Sequence, residues 1–246
     1  MISDNVIVQI SDQIVQRYNK HSVVQDDNDT TPTPPPPLKK KNKRILVGIV
    51  GAPGAGKSTL SAALFTRLND HHHHHQIKTV VVPMDGFHMD NGVLEKRGLL
   101  PRKGSPPTFD CDGFYHLLNR LKKQTQQEEP EILIPLFDRK LDVSKAGAGI
   151  VDYQDEILLV EGNYLLLKDT PWNRLANIFD FTIFLQVDRA ELENRLIQRW
   201  LDHGYDLQGA TNRAMSNDIP NALLVLSNSI NADLIIDNNN NKDSKS

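Results

Sequence analysis

The residues best suited to chemistry run from Gly51 to Thr59, Gly-Ala-Pro-Gly-Ala-Gly-Lys-Ser-Thr, which has the spacing of a Walker A phosphate loop. Glycines at 51, 54 and 56, with Ala52, Pro53 and Ala55 between them, let the backbone curl so that successive N–H groups face phosphate oxygens. A helix opening near Lys57 adds the positive end of its dipole. In that arrangement Lys57 reaches the β and γ phosphates of ATP, Ser58 offers a hydroxyl to Mg2+ and Thr59 sits near the α phosphate. The plainer alternative is a glycine turn that only joins a strand to a helix.

Two carboxylates are predicted to reach the same edge. The apolar run from Lys78 to Pro83 is followed by Met84-Asp85-Gly86-Phe87-His88. Asp85 is the candidate general base, placed to take the proton of an attacking hydroxyl or to hold that hydroxyl in line with the γ phosphate. An aspartate capping the turn before Gly86 is the alternative. The run Ile157 to Val160 ends at Glu161-Gly162-Asn163-Tyr164, where Glu161 reads as a Walker B acid. It would hold Mg2+ through water or compete with Asp85 for the hydroxyl, unless it caps a helix. Further along, Arg195 and Arg199 share one helix face, flanked by Arg189 and Arg213. They read as a lid that closes over ATP and braces the charge on the transferring group. Ordinary surface pairing competes, because Glu191 and Arg195 are also four residues apart.

The elements that must position these groups alternate. Strands are predicted over Ile45–Val50, Lys78–Pro83, Glu156–Val160, Phe181–Val187 and Ala232–Ile236, with helices over Phe109–Lys123, Arg189–His203 and Gly209–Ser229. Strands separated by helices imply an α/β fold with a central parallel sheet, whose ligands lie beyond the carboxyl ends of the strands. Ile2, Val6, Ile10, Ile14 and Tyr18 fall at helical spacing and predict an N-terminal helix over 1–20. Residues 21–44 are rich in acidic, proline and then lysine residues, and read as a disordered insertion. The kinase-sized remainder spans 45–237, with a disordered asparagine-rich tail over 238–246. His71–His75 tempts a metal reading, but consecutive imidazoles do not converge on one ion without a cage, and a silent loop repeat is the simpler account.

Composition narrows the partners. The 246 residues are 39% hydrophobic and carry a net charge of −3, which offers no basic surface for nucleic acid or an anionic membrane. One cysteine, Cys111, forms no intramolecular disulfide. No apolar run approaches the ~20 residues that span a bilayer, so a cytoplasmic protein acting on a small molecule is expected. Nothing in the sequence selects an oligomeric state.

Taken together, Gly51–Thr59, Pro83–His88, Thr108-Phe109-Asp110, Pro135–Arg139, Glu161–Tyr164, Arg195–Gly204 and Asn217–Asn221 resemble the P-loop small-molecule kinases of the phosphoribulokinase, uridine kinase and pantothenate kinase superfamily. The segments Met84–His88 and Arg199–Gly204 look most like a branch that includes fungal ATP-dependent kinases and bacterial kinases linked with fructose transport. The resemblance implies a P-loop three-layer fold with an arginine-bearing lid. It also implies transfer of the γ-phosphoryl group of Mg-ATP to a hydroxyl of a sugar, nucleoside or pantothenate-like acceptor. By the same analogy Asp85 serves the acceptor hydroxyl, His88, Arg102, Asp138, Arg139 and Tyr164 contact the acceptor, and Asn217–Asn221 lies near the adenine. One departure stands out: uridine kinases carry Tyr-Asp followed by a histidine where this chain reads Phe137-Asp138-Arg139-Lys-Leu-Asp-Val. Two other classes compete with this reading, a nucleotide-dependent switch and a nucleotide-binding protein without chemistry. The first lacks a guanine-reading Asn-Lys-x-Asp segment, and the second conflicts with an intact Lys57, Ser58, Asp85 and Glu161.

Overall fold

The computed structural model of the chain describes residues 2–23, 44–70, 77–126 and 128–239. The insertion over 24–43, the histidines at 71–75 and the tail beyond 239 lie outside the described residues. The strands are β1 (Ile45–Gly51), β2 (Thr79–Pro83), β3 (Glu131–Asp138), β4 (Val143–Asp152), β5 (Ile157–Gly162), β6 (Phe181–Gln186) and β7 (Leu234–Asp237). The α-helices are α1 (Asp4–Val23), α2 (Lys57–Leu68), α3 (Asn91–Lys96), α4 (Cys111–Lys123), α5 (Arg189–Asp202), α6 (Leu207–Arg213) and α7 (Ile219–Asn228).

Five strands form one sheet in the order β2-β5-β1-β6-β7, and every pairing in it is parallel. The central strand β1 is buried along its whole length. Its side chains alternate between two cores: Ile45, Val47 and Ile49 meet residues of α1, α2, α5 and α7, while Leu46 and Val50 meet Phe114, Leu118 and Leu121 of α4. A sheet covered on both faces in this way can be apolar at consecutive positions, which explains Ile-Leu-Val-Gly-Ile-Val. Each aliphatic side chain buried there contributes about 1.5–3 kcal/mol. The expected three-layer α/β architecture is therefore present.

The N-terminal helix docks through Ile10, Ile14, Val15 and Tyr18, close to the face the spacing predicted. The Tyr18 hydroxyl donates to Glu156, tying α1 to the foot of β5. Three boundaries differ from the composition-based reading, the first being the end of α1, which runs on to Val23. Arg44, placed in the insertion, is buried at the root of β1 and donates to the carbonyls of Leu121, Asp152 and Asp155 at 2.7 Å and to Gln124 Oε1 at 2.6 Å. Its charge is tolerated because it satisfies acceptors left at the ends of α4 and β4. Asn238, placed in the tail, is also buried and donates to the Ala55 carbonyl at 2.8 Å.

No strand is predicted between residues 109 and 156, yet β3 and β4 form an antiparallel hairpin there. Pro135 interrupts the strand pattern, and the pairing indeed shifts between Ile134 and Leu136. The hairpin packs on the turn Met84–Phe87 so closely that a Cβ at Gly86 would fall 2.1 Å from the Pro135 carbonyl oxygen. The predicted helical region 209–229 divides into α6, a turn of π-helix over Ala214–Asp218 and α7. Helix α5 buries Leu192 and Leu196 in the core, and residues 202–208, from its last residue into α6, are exposed.

Candidate active site

Parallel register sets the site. Ile49 of β1 and Pro83 of β2 both pair with Glu161 of β5, so the phosphate loop, the turn holding Asp85 and the Glu161 carboxylate all emerge at one edge. Within the loop, Gly54 and Gly56 take φ of +81° and +93°, a backbone that side chains disfavour, and Gly56 leads directly into α2. The Ala55 N–H donates to the Ala52 carbonyl at 3.0 Å, closing the curl. Lys57, half-buried, folds back to donate to the carbonyls of Gly51 and Ala52, both at 3.0 Å. Desolvation pulls its pKa down to about 8, against the upward pull of Asp85 and Glu161.

Ser58 and Thr59 are exposed on the first turn of α2. The Ser58 hydroxyl donates to Glu161 Oε1 at 3.1 Å, and the Ser61 hydroxyl donates to Oε2 at 2.8 Å. Both Glu161 oxygens thus face α2. Ser61 lies outside the Walker A spacing and so carries no signal in the sequence, although it stands one turn after Ser58. Ser58 and Glu161 form an all-oxygen donor pair, which suits Mg2+. No group of three or more His, Cys, Asp or Glu side chains able to hold a metal lies among the described residues, and Mg2+ with a nucleotide asks for few protein ligands.

Across the cleft, Asp85 Oδ2 accepts from Arg139 Nη2 at 2.9 Å. The His88 ring sits against Phe109 and Phe137, with centroids 4.0 and 4.5 Å apart. Its Nδ1 is 2.8 Å from the Asp85 carbonyl oxygen. A carbonyl only accepts, so Nδ1 carries the proton and Nε2 is left as an acceptor. Burial lowers the His88 pKa, outweighing the charge of Asp85, which keeps the ring neutral at neutral pH.

Of the five residues assigned to the acceptor by resemblance, His88 and Arg139 line the cleft, and the other three do not. Arg102 turns away to donate to the Ser216 carbonyl at 2.9 Å. Asp138 caps the hairpin turn, accepting from the N–H groups of Lys140 and Leu141, and pairs with Lys145 at 2.6 Å. The Lys145 hydrogen bond holds the Asp138 carboxyl below its usual range. Tyr164 is fully buried behind the wall, donating its hydroxyl to the Gly104 carbonyl at 2.5 Å.

The arginines of α5 divide. Arg195 is committed to Glu191, to the Gly54 carbonyl at 3.3 Å and to the Asn238 carbonyl at 2.7 Å, and so braces the phosphate loop. Arg199 lines the cleft and lies near the face of Trp200, whose ring also has Arg213 5.1 Å from its centroid. Trp200 Nε1 donates to Asp218 Oδ2 at 2.6 Å, and burial raises the Asp218 pKa. Asn217 donates to the Lys103 carbonyl at 2.8 Å, while its buried Oδ1 has no hydrogen-bond partner among the described residues. Neither Trp200 nor Asp142 reads as a site residue in the sequence: Trp200 lies in the Arg199–Gly204 segment with no role of its own there, and only chain folding brings the two into the cleft. The cleft bounded by these groups has a volume of about 450 Å3.

A Walker A loop beside two strand-end carboxylates, on a parallel sheet with helices on both faces, defines the class of P-loop nucleotide-dependent enzymes. Residues 46–244 match the model of the phosphoribulokinase / uridine kinase family, and the chain belongs to that family of phosphotransferases with alcohol acceptors. A Schizosaccharomyces pombe protein provisionally named as a uridine kinase is 32% identical over 203 residues, covering 79% of this chain and 83% of that protein. The Escherichia coli protein YggC is 34% identical over 195 residues, covering 79% and 78% respectively. A solved structure from Silicibacter, described provisionally as a fructose transport system kinase, has 42% identity and a TM-score of 0.70, covering 89% of this chain and 98% of its own. No helix among the described residues is long and apolar enough to cross a membrane.

Proposed function

We propose that this chain transfers the γ-phosphoryl group of Mg-ATP to a hydroxyl of a small metabolite, a sugar, nucleoside or pantothenate-like alcohol. The observation that carries this reading is the convergence of Lys57, Ser58, Asp85 and Glu161 on one cleft at the sheet edge. The loop backbone and Lys57 would hold the phosphates, Lys57 exchanging its carbonyl contacts for phosphate oxygens. Ser58 and Glu161 would hold Mg2+ directly or through water; the ion neutralises charge on the phosphates when bound. Asp85 would accept the proton of the attacking hydroxyl, and His88 Nε2 would accept a hydrogen bond from the acceptor. Arg195 steadies the loop, and Arg199 is the lid arginine free to meet developing charge. Because residues 202–208 are exposed beyond the anchored part of α5, closure would come from that segment and α6.

The test is ADP production from Mg-ATP across a panel of sugars, nucleosides, pantothenate and related alcohols. One class of acceptor should stimulate the wild-type rate. Asp85→Asn should lower that turnover by about 100- to 10,000-fold while ATP binding stays intact. Full activity in Asp85→Asn would remove the base assignment, and ATP hydrolysis indifferent to every acceptor would favour a nucleotide-dependent switch.

A further inference from the structure

We infer that the phosphoryl acceptor carries an anionic group, a carboxylate or a phosphate ester, and that the guanidinium of Arg139 receives it; this rests on the kinase reading above and names the charge class of its second substrate. Among the described residues, six cationic side chains line the cleft: Lys57, Lys103, Arg139, Arg195, Arg199 and Arg213. Two of them belong to the phosphate loop by contact, since Lys57 and Arg195 bond its carbonyls. Two more, Arg199 and Arg213, lie against Trp200. That leaves Lys103 and Arg139 beside Asp85 and His88.

Lys103 has nothing left to offer a ligand. An ammonium carries three protons, and its three contacts are Asn91 Oδ1 at 2.7 Å, the Asp142 carbonyl at 2.7 Å and Asp142 Oδ2 at 2.8 Å. Its side chain is only 9% exposed and its charge is already paired. Lys103 is therefore a clasp. It pins the turn between β3 and β4 to the loop after α3, and that turn begins with Arg139. Asp142 occupies this clasp with φ of +54°, a left-handed backbone rare for a residue with a side chain.

Arg139 is the opposite case. Its guanidinium has five N–H donors, of which, among the described residues, only one on Nη2 is engaged, on Asp85 Oδ2 at 2.9 Å. The side chain is 58% exposed and faces the cleft from a turn that the clasp holds still. The partner it now uses is the carboxylate that must receive the acceptor proton, so Arg139 has to share or release it when the acceptor arrives. An anion on the acceptor supplies a replacement in the planar, two-pronged geometry that guanidinium prefers. The same exchange sets the reacting hydroxyl beside the freed Asp85. A neutral acceptor offers no such exchange and leaves the cation on the base.

The experiment uses the full chain with Mg-ATP and acceptors matched in skeleton but not in charge: D-glycerate with glycerol, pantothenate with pantothenyl alcohol, ribulose 5-phosphate with ribulose, and uridine. The expected result is turnover confined to charged members, with the carboxylate and phosphate pairs showing which anion is used. Arg139→Gln should raise KM for the active acceptor by about 10- to 100-fold, leave KM for ATP unchanged, and be partly rescued by Arg139→Lys. Equal or better turnover of an uncharged member overturns the inference while leaving the kinase reading intact. So does an Arg139→Gln effect on KM for ATP rather than for the acceptor. If no compound raises ADP production, the kinase reading is the one in difficulty. Calorimetry of the three anions on wild type and Arg139→Gln, both loaded with Mg and a non-hydrolysable ATP analogue, then decides: binding lost with the arginine supports the anion site, and no such difference overturns it.

Discussion

On one side of the cleft the nine residues Gly51–Thr59 carry nearly all the chemistry, and mostly through their backbone. On the other side Asp85 and His88 share one turn, Lys103, Arg139 and Asn217 come from a loop, a hairpin and a π-helical turn, and each is held by a contact to another segment. The phosphate loop is shaped by its own glycines and by the sheet beneath it. The acceptor side is shaped by side chains that meet only once the chain has folded. Phosphate is the same in every nucleotide, so a contiguous backbone cradle serves any relative; an acceptor pocket assembled from dispersed side chains can be changed piece by piece.

That contrast can be broken most forcefully at Lys57. Lys57→Ala should lower kcat by on the order of 100- to 1000-fold and weaken ATP binding, while acceptor affinity measured by calorimetry stays put; loss of acceptor binding as well would mean the two halves are not separable. Gly86→Ala probes the other half. Its new Cβ would meet the Pro135 carbonyl oxygen at 2.1 Å, pushing the hairpin and Arg139 off Asp85. A loss of roughly 10- to 100-fold in kcat/KM for the acceptor and a destabilisation of about 1–3 kcal/mol should follow, with KM for ATP little changed.

Smaller effects sharpen the boundary. Ser61→Ala removes the bond that orients Glu161 Oε2 and should raise the Mg2+ concentration needed for half-maximal rate by roughly tenfold, without altering acceptor KM. Finally, because desolvation holds Lys57 near a pKa of about 8, ATP binding should take up a fraction of a proton at about pH 9 and almost none at about pH 6. The sign follows from the anionic phosphates, which favour the ammonium form. Calorimetry in two buffers of different ionisation enthalpy reads this directly; identical heats at the higher pH would remove the assignment.

Strands β1, β2, β5 and β6 and helices α4 and α5 fall within a few residues of their predicted bounds, because a doubly covered parallel sheet writes itself as short apolar runs between amphipathic helices. The hairpin escaped because Pro135 and the run Ala146-Gly147-Ala148-Gly149 mask its alternation. Among site residues, the Walker loop, Asp85 and Glu161 needed only local spacing and a strand end. Tyr164 and Asp138 sit in recognisable motifs and Arg102 is assigned by resemblance alone, yet a buried hydroxyl bond to Gly104, a turn cap and a carbonyl contact to Ser216 take them out of the cleft.

What the sequence determined by itself was whatever depends on near neighbours: a phosphate cradle needs its glycines, lysine and hydroxyl in consecutive order, and a strand end delivers its next residue to a known edge. The tertiary structure alone decided which cations are free. Lys103 and Arg139 look alike as charges in the sequence, but the donors of Lys103 are consumed by Asn91 and Asp142 while four N–H groups of Arg139 have no partner among the described residues. Hydrogen-bond capacity is spent on partners distant in the chain, and only the folded arrangement records where.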